Sequence, residues 1–186
     1  MFRPLLPLIS LAIFVLVAAD AAFGQTVTLA ELRGATIQSR VVYLMEGLRG
    51  DGRPFSSQDS FDNTVTINSE DSLTNRTTIA NGNRVINSFS GTFTLGKPRE
   101  VQRSGGGHAV FLFEGGKLTM LASFRTGGFK RTITFARGAG GLECSVSAPF
   151  ARETGAPIFE WTTPNGANVR VIHIKPISSS CQVSQR

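Results

Sequence analysis

Two histidines, His108 and His173, and two cysteines, Cys144 and Cys181, hold all the imidazole and thiol chemistry of the 186-residue chain. Neither histidine has a cysteine, a glutamate or a second histidine at metal-ligand spacing, so no metal site and no cofactor are expected. A hydrolytic triad would require His108 to meet Asp51, Asp59 or Asp62 across the fold, and no G-x-S-x-G turn is present to expose a serine nucleophile. The residues therefore favour a binding or interaction role over an enzyme. Cys144 and Cys181 form an even pair without histidine neighbours, which reads as one disulfide of an exported chain. Closing that loop is worth on the order of 3–4 kcal/mol, mainly by restricting the unfolded state.

The run "RSGGGHAVFLFEGGKLTM", residues 103–120, has the composition of a ligand-holding glycine loop. A phosphate loop, however, opens a helix, and a Walker loop follows Gly-Lys with Ser or Thr. Here Leu118 follows Gly116-Lys117, Phe111 stands where the first glycine belongs, and an alternating run comes next. "EGGK", "TGGF", "ANGN" and "PNGA" instead supply the positive φ of tight hairpins. "SGGGH" at 104–108 reads first as a flexible connection, with a mobile functional loop at the mouth of a barrel as the alternative. "RGD" at 49–51 falls in "LRGDGRP", a hairpin loop, and "NRT" at 75–77 has the form of a glycosylation acceptor.

These residues need a scaffold, and its outline begins at the N-terminus. Arg3 precedes a run at residues 5–19 that is apolar apart from Pro7 and Ser10, and "AADAAFGQ" follows. Such a run is short for a bilayer span and fits a signal peptide. Residues 1–24 are read as that segment, an N-terminal signal helix cut ahead of Gln25, with a cut ahead of Ala22 as the alternative. No cysteine near the cut suggests a lipid anchor. Residues 25–186 then form a single domain, periplasmic or secreted, with no transmembrane segment after cleavage. Without Arg3 and Asp20 the net charge stays at +6, which favours anionic lipid, sugar or protein partners in the envelope. The basic residues are scattered and lack interleaved aromatics, so no specific nucleic-acid binding is expected.

Period-two alternation dominates the rest, the mark of half-buried strands. Ile37, Val41 and Tyr43 form one stripe, and Phe61, Val65 and Ile67 another. Val85, Phe89, Phe93 and Leu95 share a face, as do Leu118, Met120, Ala122 and Phe124. Phe129, Ile133 and Phe135 follow, then Leu142, Cys144, Val146 and Ala148. "TLAELRG" allows one or two helical turns, with Thr28 and Glu31 at capping-box spacing and Gly34 as terminator. Eight to eleven short strands in successive hairpins predict an all-β antiparallel meander. Its expected form is an up-and-down, lipocalin-like barrel, because closure removes exposed edges; a β-sandwich is the second choice.

"LAELRGATIQSRVVY" resembles the short helix and first strand of lipocalin-like proteins, without their usual tryptophan. The runs "KPREVQRSGGGHAVFLFEGGKLTMLASF", "FARGAGGLECSVSAPFARE" and "SSSCQV" resemble a set of uncharacterised secreted β-rich proteins of alphaproteobacteria. That resemblance implies export and a shared fold, and it brings no activity with it. Inward rings either fill the core, as packed interiors favour, or line a site for a small apolar or amphiphilic ligand, with Tyr43, Phe89, Phe93, Phe111, Met120 and Phe135 as its candidate lining. The alternative is an envelope interaction protein that uses its basic surface.

Overall fold

The structure, a computed structural model, describes residues 26–102, 107–124, 127–148, 150–152, 159–162 and 168–185. The expected signal segment at 1–24, the expected turn at 164–167 and most of the "SGGGH" stretch lie outside them. Twelve strands are described: β1 (Thr36–Arg49), β2 (Pro54–Ile67), β3 (Ser72–Asn81), β4 (Arg84–Thr94), β5 (Arg99–Gln102), β6 (Gly107–Glu114), β7 (Lys117–Phe124), β8 (Gly127–Gly138), β9 (Gly141–Ser147), β10 (Phe150–Arg152), β11 (Phe159–Thr162) and β12 (Asn168–Ser184). Every ladder is antiparallel. The hairpin glycines act as expected at two turns: Gly82 has φ +53°, and Gly115 and Gly116 have φ +54° and +70°. Gly127 and Gly128 differ, since they open β8 opposite Phe124 and Ser123 instead of forming the turn.

The expected closed barrel is not what forms. The strands divide into two sheets, one ordered β11-β12-β1-β2-β3-β4 and the other β10-β8-β7-β6-β5, with β9 also paired to β8. Inward residues of both sheets build one core between them, an arrangement that fits the sandwich alternative. Two seams separate the sheets, and each has a local cause.

Where β4 approaches β5, the Arg99 guanidinium crosses Gly91, donates to the Thr92 carbonyl and lies 5.4 Å from the Phe93 ring centre. A side chain thus occupies the edge that a ladder would use. Where β9 approaches β12, the β1–β12 register slips between Val42 and Tyr43, and Pro176 faces Tyr43. A bulge bends a strand and proline removes a donor, so β12 turns out of line with a would-be partner. Residues 175–180 of β12 are consequently exposed on both faces.

Of the predicted stripes, Ile37, Val41, Tyr43, Phe61, Val65, Ile67, Phe93, Leu118, Met120, Ala122, Phe129, Ile133, Phe135 and Ala148 lie in the core, and Phe89, Leu95, Leu142, Cys144 and Val146 are half-buried. Val85 is not buried, at 59% exposed. A register shift between Ile79 and Ala80 pairs Ala80 with Val85 and reverses the face of the strand beyond it. "TLAELRG" supplies a single 3-10 turn, Ala30–Leu32, that places Val27, Leu32 and Ala35 in the core, with Gly34 N–H donating to the Ile67 carbonyl at 2.9 Å. The Glu31 carboxylate accepts from the Thr28 backbone N–H and hydroxyl, each at 2.8 Å. Those bonds, with Arg137 beside it, hold the Glu31 pKa below its usual value.

Candidate functional site

The inward face of the first sheet is part polar; the Ser39 hydroxyl is buried without a partner among the described residues, and the amide and hydroxyl groups of Asn63, Asn75 and Thr77 bond one another. Asn63 donates to Asn75 Oδ1 at 2.5 Å and Thr77 Oγ1 at 2.8 Å, and Asn75 donates to Thr77 Oγ1 at 3.3 Å. Asn75 is fully buried, so the "NRT" motif offers no accessible acceptor in the folded protein. Asp59, also buried, accepts from Ser57 Oγ at 2.5 Å and Asn81 Nδ2 at 2.8 Å. Buried polar groups bonded in this way stabilise one register of strands.

Arg131 is different. It stands on β8 between Phe129 and Ile133, on the inward face, opposite Met120, and it is 2% exposed. Its Nη2 donates to the Phe61 carbonyl at 3.1 Å, its Cζ lies 5.5 Å from the Phe129 ring centre, and it hydrogen-bonds Tyr43. Nε has no partner, and no ion pair among the described residues includes Arg131. Burial lowers its pKa, against the raising influence of Tyr43 and, more weakly, of the Asp62 carboxylate. Burying an ion without an ion-pair partner costs several kcal/mol, so this guanidinium is held at a cost to stability.

Tyr43 links that charge to the β9–β12 seam. Its ring meets Phe61 edge-on at 5.1 Å, and its hydroxyl donates to the Ala148 carbonyl at 2.9 Å across the β9–β12 seam. Burial pushes the hydroxyl pKa up to about 12, with Arg131 opposing. Ala148 belongs to the wall of an open cleft of about 460 Å³ in that seam, lined also by Val41, Val146, Ile174, Pro176 and Ile177. The cleft is within the size range of small-ligand sites. One hydroxyl separates its wall from the buried cation.

The Cys144–Cys181 disulfide spans the same seam, with the Cα atoms 5.5 Å apart, joining β9 to β12 as the cysteine count implies. No helix among the described residues is long and apolar enough to cross a membrane.

Of the six candidate lining residues, Tyr43, Phe93, Phe111, Met120 and Phe135 are buried in one continuous core, and Phe89 is half-buried. Phe93 meets Phe111 edge-on at 4.8 Å, and Phe135 lies 6.3 Å from Phe113. Only Tyr43 and Met120 adjoin Arg131. The triad candidates are dispersed: His108 points outward on β6, whereas Asp51 accepts from the Arg53 N–H, Asp59 lies in its own buried cluster and Asp62 accepts from Ser60. No cluster of three metal-binding side chains occurs among the described residues. The sequence signal for the site was present, because Arg131 interrupts the stripe Phe129, Ile133 and Phe135 at an inward position. Comparison of the chain with protein-family models, with curated proteins and with solved structures finds no match in any of the three.

Proposed function

We propose that the protein is an exported binding protein that takes a small anionic amphiphile at the β9–β12 seam, its apolar body in the cleft and its head group at Arg131. The single observation that carries this reading is the buried guanidinium whose Nε is unbonded and which belongs to no ion pair among the described residues, with only the weak influence of the Asp62 carboxylate to offset its charge. An acidic head would supply the missing counter-charge, while Val41, Val146 and Ile174 offer an apolar wall. Tyr43 would exchange its bond to Ala148 for one to the head group. The ring-filled interior favours this position over an enclosed chamber. Export is supported by the N-terminal pattern and by a disulfide, which persists in oxidising compartments.

The test is displacement of a fluorescent long-chain carboxylate by dodecanoate or dodecanol. Arg131→Met should weaken dodecanoate about 10- to 100-fold, as for loss of a charge-assisted hydrogen bond, and leave dodecanol nearly unchanged. Its thermal midpoint should stay level or rise, because an uncompensated ion has been replaced by an apolar chain of similar volume. Equal weakening of both ligands, or no dodecanoate binding by the intact protein, would overturn the proposal.

A further inference from the structure

On the other side of the same sheet the outward residues form ordered polar rows. Ser184, Thr36, Thr66, Thr74 and Thr92 align across β12, β1, β2, β3 and β4, one residue from each strand. Beside this row Gln182 pairs with Gln38 and Gln38 with Thr64, and next to them Ser180 pairs with Arg40 and Arg40 with Asp62. Those last six residues, with Ser39, Asn63 and Cys181 between them, line an open cleft of about 450 Å³. Arg40 Nε lies 3.6 Å from Asp62 Oδ1, and both side chains remain more than a third exposed.

We infer that this cleft is a second binding site, for a neutral oligosaccharide. Two amides, two hydroxyls and one internally balanced ion pair present donors and acceptors in alternation, as a polyhydroxylated ligand requires. Asp62 disfavours an anion, and Arg40 disfavours a cation. The threonine row continues the hydroxyl pattern beyond the cleft, so a chain of several sugar units lies across the strands. This inference rests on no part of the amphiphile proposal, since it uses the opposite face of the sheet and none of the same side chains.

The experiment is an NMR titration of the full protein with two neutral oligosaccharides, a tetramer of N-acetylglucosamine and a tetramer of glucose. Shifts from at least one are expected at residues 38–40, 62–64 and 180–182. Gln38→Ala and Gln182→Ala, both on an exposed face, should each weaken that binding at least about five-fold with the thermal midpoint unchanged. Raising sodium chloride to about 0.5 M should change the affinity by less than about two-fold, because the cleft has no net charge. No localised shifts with either sugar, an unchanged affinity in both variants, or a steep loss with salt would each overturn the inference.

Discussion

Along the β4–β6 seam the sheets meet through reversible contacts: Arg99 on the Thr92 carbonyl and the Phe93 ring, and Gly96 N–H donating to the Phe111 carbonyl at 2.8 Å. Along the β9–β12 seam they meet through a covalent bond and the Tyr43 hydroxyl. The difference follows from chain distance. Four residues join β4 to β5, so those edges are already held near each other, whereas β9 ends at Ser147 and β12 begins only at Asn168. Bringing distant edges together loses more chain entropy, and a cross-link removes that loss from the folding equilibrium. The covalently held seam is also the one left open enough to form a cleft beside the buried cation.

Breaking the disulfide should therefore have the largest effect. Replacing both Cys144 and Cys181 with alanine removes a link of 37-residue separation, for which loop entropy predicts a loss of about 4 kcal/mol. Denaturant unfolding checks the magnitude. Hydrogen exchange should locate it, with protection falling in β9 and β12 before β4 and β6. A uniform fall across both seams would contradict the separation drawn between them.

Next in size is an alkaline effect at Tyr43, on the same seam. Its hydroxyl pKa is raised from 10.0 to about 12, so the folded state holds the proton more tightly than the unfolded chain does. The associated stability is complete below pH 10 and is lost as pH rises towards 12, because the unfolded chain releases its proton first. Two pKa units correspond to about 3 kcal/mol. Tyr43→Phe should remove this part of the alkaline loss, and it should cost about 1 kcal/mol at neutral pH through the bond to Ala148. Parallel alkaline stability curves for the two proteins would refute the buried, protonated hydroxyl.

The sequence carried what is local. Alternation placed the inward stripes because side chains of a strand point to opposite faces by necessity, and paired glycines at 115–116 marked a turn because few other residues accept positive φ. The even cysteine pair identified its bond. What escaped depends on how strand edges meet: Arg99 lies over Gly91 at the edge of the preceding strand at one seam, and at the other the register between β1 and β12 slips beside Pro176. The inverted Val85 came from a bulge that alternation alone does not mark. For the site, a stripe assembled from apolar residues passes over Arg131, the one buried charged residue among the described side chains of β8. Tyr43 was singled out as an inward ring, but its tie to Arg131 joins strands from different sheets, and no local pattern reveals it.

The smallest effect concerns the other seam. Arg99→Met removes an exposed hydrogen bond and a cation–π contact, together worth about 1 kcal/mol, while keeping an unbranched chain over Gly91. The informative measurement is the double cycle with the cysteine pair. The seams lie four strand spacings apart in the first sheet, about 19 Å, so the two destabilisations should add to within about 0.5 kcal/mol if each seam closes by its own contacts. Coupling well above that value would mean that the sheets open and close as one unit, and Arg99 would then bear on the cleft beside Tyr43 from the far side of the core.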